Sequence, residues 1–395
     1  MPDTPELVRR TRWPDGARRA LVTPLQPSVV YRSDSPDALD AQYEGATSGY
    51  TYAREGHPNA DVLAQKIDGL EGVAGGLITG SGMAAFSAVI LGLLAAGDHV
   101  VAGDQLYGRS LRILTRDAPR LGIAATLADP TDIAAVTAAV RPETRMIVVE
   151  VVSNPTLRLA DMEGLARLAR ERGLLLVVDN TFTTPRAYRP FDHGADIVLH
   201  SVTKLLAGHS DVTLGYVAAR DPALQERIRD AAVTWGLTPS PFDCWLAERG
   251  LYSFNLRYDR AEQNAAALAD HLAGLKGVVR MVYPQRPDHP DHDRAGALLG
   301  ARGGNMLSFE LRGGRAAANA LTHAAPGLAF APTLGDIATT LSHPASSSHR
   351  ALSPQARAAL GISEGFFRVS VGVEDIDLLV RDFTAAVQAA AQVSS

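Results

Sequence analysis

The sequence is poor in lysine and has almost no cysteine. Of its 38 basic residues 35 are arginine, and the three lysines are Lys66, Lys204 and Lys276. The single cysteine, Cys244, excludes an intrachain disulfide, and a chain of 395 residues is long enough to fold without one. We therefore expect a protein of the reducing cytoplasm.

Long hydrophobic runs and an excess of positive charge are also missing. The most apolar stretch, residues 83–96, is too short to cross a bilayer, so we expect no membrane span. Residues 1–19 are polar and contain three prolines, so we expect no secretory leader. A formal net charge of −5 argues against nucleic acid or an anionic membrane as the main partner.

The texture of the sequence divides the chain into three parts. Residues 1–60 contain several prolines and no long periodic pattern, which predicts an extended arm that lies on a partner subunit. Residues 61–254 alternate helical stretches with short apolar runs, a pattern typical of a parallel sheet covered on both faces. Residues 255–395 begin with a long helix rich in Ala and Arg and predict a smaller α+β domain.

The strongest local patterns predict individual elements. Apolar runs predict strands at 99–102, 146–152, 174–178 and 196–199, and near 278–282, 305–311 and 367–371. Helical spacing predicts helices at 62–70, 84–96, 133–140, 162–172, 255–275 and 376–390.

Polar residues follow the predicted strands at their carboxyl ends, where open parallel sheets bind ligands. Strand 146–152 contains Glu150 and runs into Ser153-Asn154-Pro155, strand 174–178 runs into Asp179-Asn180-Thr181, and strand 196–199 runs into 200–204, which ends in Lys204. A lysine beside hydroxyl residues can form an imine with an aldehyde, and an aspartate one strand away can pair with a protonated ring nitrogen. Both are requirements of pyridoxal phosphate.

Each of these features has a simpler interpretation when it is taken alone. A Ser-x-x-Lys sequence such as 201–204 occurs by chance and in unrelated acyl-transfer enzymes, and Asp179-Asn180 is a common turn or helix cap. The turn Gly80-Ser81-Gly82-Met83 opens an apolar helix whose N–H groups suit a phosphate, although it lacks the spacing of dinucleotide or P-loop fingerprints. Their order and placement together favour a pyridoxal phosphate site.

Several strings carry a resemblance to a known family. They are Tyr52-Ala53-Arg54, Ser81-Gly82-Met83, Tyr107-Gly108, Asn154-Pro155, residues 178–185, 201–204, 208–211 and 368–374. The chain resembles the Cys/Met-metabolism family of pyridoxal-phosphate enzymes, which includes cystathionine γ-synthase, the cystathionine lyases, methionine γ-lyase and the homoserine sulfhydrylases. The resemblance implies an α/β, aspartate-aminotransferase-like fold of type I with a mostly parallel seven-stranded cofactor domain and a smaller α+β C-terminal domain. It also implies a dimer with shared active sites, or a tetramer of two such dimers.

The resemblance also implies roles for individual residues. Lys204 would bind the cofactor covalently and move protons, Asp179 would pair with the pyridine nitrogen, and Tyr107 would stack on the ring. Tyr52 and Arg54 would reach the phosphate of the neighbouring subunit. The implied cofactor-binding set is Tyr52, Arg54, Ser81, Gly82, Met83, Tyr107, Asp179, Thr181, Ser201, Thr203 and Lys204. The implied substrate-binding set is Asn154, Thr333 and Arg368, which would hold the α-carboxylate, and Arg109.

Substrate choice is the part that the resemblance leaves open. Arg109 stands where methionine γ-lyases have Cys and other members have Gly, and it either contacts a distal polar end of the substrate or forms a salt bridge at a subunit interface. Segments 342–346 and 361–365 look most like methionine γ-lyases. We therefore expect a lyase that cleaves cystathionine or methionine by γ-elimination. The alternatives are a γ-replacement transferase acting on an O-acylhomoserine, an aminotransferase and a non-enzymatic binding protein. We expect no metal site, because His193, His200 and His209 lack metal-ligand spacing and His289 and His292 are better interpreted as part of an exposed loop than as ligands.

Overall fold

The computed structural model describes residues 21–350 and 352–393. The first 20 residues of the predicted arm, and residues 351, 394 and 395 of the predicted C-terminal domain, lie outside the described residues. Within the described part of the arm, one short helix forms at Pro36–Tyr43 (α1), where Ser35 accepts a hydrogen bond from the N–H of Ala38.

The larger sheet is mostly parallel, as predicted. Its strands are β1 (Leu77–Thr79), β2 (His99–Gly103), β3 (Ala124–Ala128), β4 (Thr144–Glu150), β5 (Leu175–Asp179), β6 (Ile197–Ser201) and β7 (Gly215–Ala219). The strand order is β1-β7-β6-β5-β4-β2-β3. β7 is the one strand of this sheet that runs opposite to the other six. The carboxyl ends of β4, β5 and β6 therefore meet at one edge.

Helices cover both faces of this sheet because its central strands carry apolar side chains on both. Val178 and Val198 face the layer that contains α2 and α6, whereas Val177 and Ile197 face α3 and α8. The helices of this part of the chain are α2 (Pro58–Glu71), α3 (Gly82–Leu93), α4 (Gly108–Arg112), α5 (Ile133–Ala139), α6 (Met162–Arg172), α7 (Thr184–Ala187), α8 (Pro222–Thr234) and α9 (Pro241–Leu251).

A second, five-stranded sheet lies in the C-terminal part of the chain. Its strands are β8 (Val278–Val282), β9 (Met306–Leu311), β10 (Ala329–Phe330), β11 (Thr340–Ser342) and β12 (Phe366–Ser370), in the order β10-β11-β12-β9-β8. The accompanying helices are α10 (Phe254–Ala273), α11 (His292–Leu299), α12 (Gly314–Ala324), α13 (Pro354–Ala359) and α14 (Ile376–Gln392). The rings of Phe309, Phe367 and Phe383 form the centre of its core.

The predicted boundary near residue 254 falls at the start of α10, and the division into domains stays a prediction. The core of the larger sheet continues into the C-terminal part through Tyr258, Met306 and Phe366, so the two sheets pack through shared apolar contacts. Among the described residues no helix combines the length and the apolar character that a membrane span requires.

Candidate active site

A cavity of about 240 Å³ lies at the carboxyl ends of β4, β5 and β6, beside the first turn of α3. Its walls bring together most of the residues that the sequence predicted. They are Ser81, Gly82, Met83, Tyr107, Ser110, Glu150, Asn154, Asp179, Thr181, Phe182, Ser201, Thr203, Lys204, Thr213, Leu334, Ser348 and Arg368.

Four of the predicted residues do not line this cavity. Thr333 lies directly behind it, since its hydroxyl accepts a hydrogen bond from Lys204. Arg109 is exposed on α4, between Tyr107 and Ser110 at the cavity rim. Tyr52 and Arg54 lie on the described part of the arm, where the Arg54 guanidinium is 5.1 Å from the centre of the exposed Tyr52 ring.

Lys204 is partly buried at the base of the cavity. Its Nζ donates a hydrogen bond to Thr333 Oγ1 at 3.2 Å. Burial lowers the pKa of the Lys204 amine, and the positive charge of Arg368 lowers it further. A larger fraction of the amine is therefore unprotonated near neutral pH than for an exposed lysine, which makes it a better nucleophile.

Asp179 ends β5 on the same side of the sheet. Burial raises the pKa of its carboxyl group, while hydrogen bonds from Thr181 act in the opposite direction. The Thr181 N–H donates to Asp179 Oδ1 at 3.0 Å, and the Thr181 hydroxyl donates to the same oxygen at 2.5 Å. The Thr181 hydroxyl also accepts from the Ser201 N–H at 2.8 Å, so one side chain fixes the ends of two strands.

The first turn of α3 offers unpaired N–H groups to the cavity. Ser81 caps this helix by accepting from the N–H of Ala84 at 3.0 Å, which leaves the N–H groups of Gly82 and Met83 without a partner inside the helix. A side chain at Gly82 would put its Cβ 2.8 Å from the Cβ of Ser201, so only glycine lets the helix approach the strand end this closely. A phosphate fits such a helix end.

The hydroxyl of Thr203 is already engaged in the protein. It donates to the carbonyl of Leu214 at 3.1 Å and accepts from the Leu214 N–H at 2.9 Å. These two bonds join the segment that carries Lys204 to the residue before β7. The predicted phosphate contact of Thr203 stays a prediction.

Arg368 is buried with 6% of its surface exposed, in the middle of β12. One guanidinium nitrogen donates to Asn154 Oδ1 at 2.9 Å and another donates to the carbonyl of Thr333 at 2.7 Å. Its Nε is buried and has no partner among the described residues. Burial lowers the pKa of Arg368 to about 10, so the group stays charged near neutral pH and suits a carboxylate.

Sequence reasoning assigned no role to Glu150, which lines the cavity. Its Oε1 accepts from the Tyr107 N–H at 2.7 Å, and its Oε2 is buried without a partner among the described residues. The position at a strand end was visible in the sequence. The contact with Tyr107 was not, because the two residues are 43 positions apart.

A second unpredicted network lies behind the cavity, on the other face of the sheet. His200 Nε2 and Asn180 Nδ2 both contact Glu71 Oε1, at 2.5 and 3.1 Å. Glu71 is the last residue of α2, so the network ties this helix to the ends of β5 and β6. It supports the strand ends that carry Asp179 and Lys204.

Comparisons with known proteins decide the family. A family model described as Cys/Met metabolism PLP-dependent enzyme matches residues 4–388. The chain belongs to this family. The resemblance noted in the sequence is therefore confirmed, and so is its cofactor, pyridoxal phosphate.

Several members of the family are similar to this chain over almost their whole length. The chain is 38% identical to the cystathionine beta-lyase of Bacillus subtilis, over 98% of this chain and 97% of that enzyme. It is also 38% identical to an L-methionine gamma-lyase of Pseudomonas putida, over 94% of each chain. The crystal structure of cystathionine gamma synthase from Xanthomonas oryzae pv. oryzae, in complex with aminoacrylate and cysteine, matches with a TM-score of 0.92 and 37% identity, over 98% of each chain. The predicted type I fold is thereby confirmed.

The residues of this chain fit the family's cofactor. Lys204 would supply an amine for the aldehyde, Asp179 would supply a carboxyl group for the ring nitrogen, and the N–H groups of Gly82 and Met83 would supply phosphate donors. The buried Nε of Arg368 provides an unused donor for a substrate carboxylate. The individual site assignments stay predictions, which the experiments below address.

A buried histidine next to the cavity, His349, should make the stability of the folded protein depend on pH. His349 is 6% exposed and directly follows Ser348, which lines the cavity. Burial lowers its pKa from 6.5 to about 4, with the charges of Arg368 and Arg357 adding to the effect. Between pH 6.5 and about pH 4, His349 is therefore mostly protonated in the unfolded chain and mostly neutral in the folded protein.

We therefore expect the free energy of unfolding to fall, through this group, as the pH drops from 6.5 to 4. The loss should be on the order of 3 kcal/mol. Urea unfolding of the wild type and of His349→Gln at a series of pH values measures it, because the variant lacks this titration. If the free energy of unfolding falls equally with pH in the two proteins, the loss does not come from His349.

Proposed function

We propose that this chain is a carbon–sulfur lyase that acts on cystathionine or methionine by γ-elimination and gives a 2-oxo acid, ammonia and a thiol. The observation that carries the proposal is the lining of the cavity. Its basic residues are Lys204 and Arg368, and Met83, Phe182 and Leu334 provide apolar surface. Such a lining suits the α-carboxylate and the thioether that cystathionine and methionine share.

The resemblance of segments 342–346 and 361–365 to methionine γ-lyases supports a lyase of the methionine type. Segments 342–346 and 361–365, which resemble methionine γ-lyases, contact each other through His343 Nε2 and the Glu364 carbonyl at 3.0 Å. Arg315 donates to Ser346 Oγ at 2.6 Å and to Glu364 Oε2 at 2.6 Å. The similarity to the L-methionine gamma-lyase points in the same direction. The similarity to the cystathionine beta-lyase supports a lyase and does not favour γ-elimination over β-elimination.

The chain's residues divide the chemistry among them. Pyridoxal phosphate, when bound, withdraws electrons from the α carbon of the substrate. Arg368 and Asn154 bind and orient the α-carboxylate. The Lys204 amine moves the proton of the α carbon to the cofactor and then takes a proton from the β carbon, which γ-elimination requires before the Cγ–S bond breaks. Asp179 stabilises a proton on the ring nitrogen. The exposed Tyr107 hydroxyl at the cavity mouth gives a proton to the departing sulfur.

The second candidate is a γ-replacement transferase. It is favoured by the similarity to a cystathionine gamma synthase over 98% of each chain. Elimination and replacement need the same carboxylate site and the same proton transfers, and they differ in whether water or a thiol completes the reaction. The residues of the cavity serve both.

A product assay distinguishes the candidates. The purified holoenzyme is offered methionine, cystathionine, O-acetylhomoserine and O-succinylhomoserine, each with and without cysteine. We expect 2-oxo acid, ammonia and thiol from the thioethers without cysteine. A higher kcat/KM for forming cystathionine from an O-acylhomoserine and cysteine would favour the transferase. Conversion of the cofactor to its amine form with no thiol released would instead indicate an aminotransferase.

Arg109 allows a test of substrate choice. If its guanidinium contacts the distal amino acid end of cystathionine, Arg109→Gly should lower kcat/KM for cystathionine about tenfold more than for methionine, because a charge-assisted hydrogen bond is lost with only one substrate. Steady-state kinetics with both substrates measures the difference. Equal losses on both would leave only a structural role at a subunit interface.

We further propose that the active form is a dimer, or a tetramer of two such dimers, whose sites are shared. Tyr52 and Arg54 lie on the arm, outside the cavity of their own chain, with exposed side chains. Exposed apolar residues on the same arm, such as Leu21, Val29 and Val30, offer surface for a second copy.

Mixing two inactive variants tests this arrangement. Arg54→Ala and Lys204→Ala should each be inactive, because one lacks a phosphate contact and the other lacks the amine. After co-refolding or co-expression, a mixed dimer should contain one site with both groups intact and should regain activity. No recovery in a mixed dimer verified by mass would contradict shared sites, whereas a fully active Arg54→Ala would remove Arg54 from the site.

A further inference from the structure

We propose that Glu150 is a positioning residue that holds Tyr107 over the cofactor site. The inference rests on the proposed role of Tyr107, and it does not depend on whether the enzyme is a lyase or a transferase. Neither the family resemblance nor the site assignments above give Glu150 a role.

The geometry of Tyr107 shows why it needs an anchor. Tyr107 is 43% exposed, so the packing of the ring alone does not fix it. Its main-chain N–H, at the start of α4, donates to Glu150 Oε1 at 2.7 Å. The N–H bond therefore fixes the backbone from which the Tyr107 ring projects, and so the position from which the ring reaches the cavity.

Glu150 is a rigid anchor because of where it lies. It is the last residue of β4, a central strand paired on both sides, by β2 and β5. The four residues before it, Met146 to Val149, are each at most 1% exposed. A side chain on such a strand keeps its direction far better than one on the loop that carries Tyr107.

The surroundings of Glu150 favour its protonated form. Asp179 lies opposite Glu150 in the parallel register of β4 and β5, so two carboxyl groups share one edge of the sheet. Burial and the charge of Asp179 raise the pKa of Glu150 well above its usual range, while the Tyr107 N–H and Arg368 act in the opposite direction. Lys204 faces the same cavity.

Of the two carboxyl groups, Asp179 is the better site for the negative charge. It accepts two hydrogen bonds from Thr181, whereas Glu150 accepts one, from Tyr107. A proton on the buried Oε2 of Glu150 leaves Oε1 free to accept from Tyr107. A neutral side chain of the same shape should therefore replace Glu150.

Three substitutions at Glu150 test the proposal. Glu150→Gln keeps an acceptor of the same reach and no charge, Glu150→Ala removes the acceptor, and Glu150→Asp withdraws it from Tyr107. Glu143→Gln is the matched control, since Glu143 is exposed just before the other end of β4. Hydrogen exchange of the Tyr107 amide is measured in the cofactor-free protein, and kcat, KM and the pH dependence of the cofactor's visible band are measured in the holoenzyme.

We expect Glu150→Ala to speed exchange at the Tyr107 amide about tenfold and to lower kcat by roughly 10²-fold, with a smaller change in KM. Glu150→Gln should resemble the wild type in exchange, kcat and the pH dependence of the band, as should Glu143→Gln. If Glu150→Ala does not fold, Glu150→Asp should show the same direction of change. Unchanged exchange in Glu150→Ala or Glu150→Asp, or a Glu150→Gln as impaired as Glu150→Ala, would overturn the proposal.

Tyr107→Phe separates this inference from the proposed function. If that variant turns over the substrates at the wild-type rate, the assigned role of the Tyr107 hydroxyl fails. The exchange of the amide at residue 107 would still report whether Glu150 anchors the segment.

Discussion

Replacing Lys204 with alanine is expected to abolish covalent attachment of the cofactor and to lower kcat by about 10²–10⁴-fold from the loss of proton transfer alone. The amine lies in the cavity with its pKa lowered by burial and by Arg368, which suits both attachment and proton transfer. Lys204→Arg should be equally inactive, because a guanidinium stays protonated and cannot attach the aldehyde.

The scarcity of lysine makes this prediction sharp. Lys66 is buried on α2, with its Nζ 4.6 Å from the centre of the Tyr252 ring, and Lys276 is exposed before β8. Borohydride reduction of the holoenzyme followed by peptide mapping should place the label on Lys204, and Lys276→Ala, the control, should keep both label and activity. Label on Lys66 or Lys276, or undiminished turnover in Lys204→Ala, would contradict the assignment.

The central strands and the helices beside them could be predicted because their apolar patterns are strong. The helix predicted at 162–172 has the observed limits, and the strands predicted near β2, β5 and β6 are shifted by one or two residues at most. The strand predicted at 146–152 runs from 144 to 150, since it starts beside His99 of β2 and the chain turns after Glu150.

The edge strands could not be predicted from the same signals. β3 (Ala124–Ala128) contains small and partly exposed residues and lacks the apolar run of a central strand. β1 has three residues and pairs only with β7, which lies far away in the sequence and runs antiparallel to the rest of the sheet. Pairing between strands that are far apart in the sequence produces no local residue pattern from which such a strand could be predicted.

The residues of the candidate site likewise fall into a predictable group and a group that the sequence could not predict. Asp179, Lys204 and the turn at Ser81 stand at strand or helix ends, where a sequence can be interpreted by position alone. The support behind them depends on residues far apart in the chain. Glu71 contacts His200, which is 129 positions away in the sequence. No local sequence pattern around either residue predicts this contact.

Arg368 should be the main determinant of amino acid binding. A carboxylate bound by its fork gains charge-assisted hydrogen bonds, each contributing about 1.5–3 kcal/mol. We therefore expect Arg368→Leu to lower kcat/KM by about 10²-fold or more, mostly through KM. Arg368→Lys keeps a charge and loses the planar fork, so it should recover only part of the loss.

The same residue gives the prediction its controls. Asn154→Ala removes one partner of the guanidinium, so it should raise KM in the same direction and by less. Cofactor affinity should change little in Arg368→Leu, because Arg368 is assigned to the substrate and not to the phosphate. The pKa of about 10 predicts that KM rises above that pH, where Arg368 loses its proton and with it the attraction for the carboxylate. If Arg368→Leu loses the cofactor while the KM for the amino acid is unchanged, the carboxylate must bind elsewhere in the cavity.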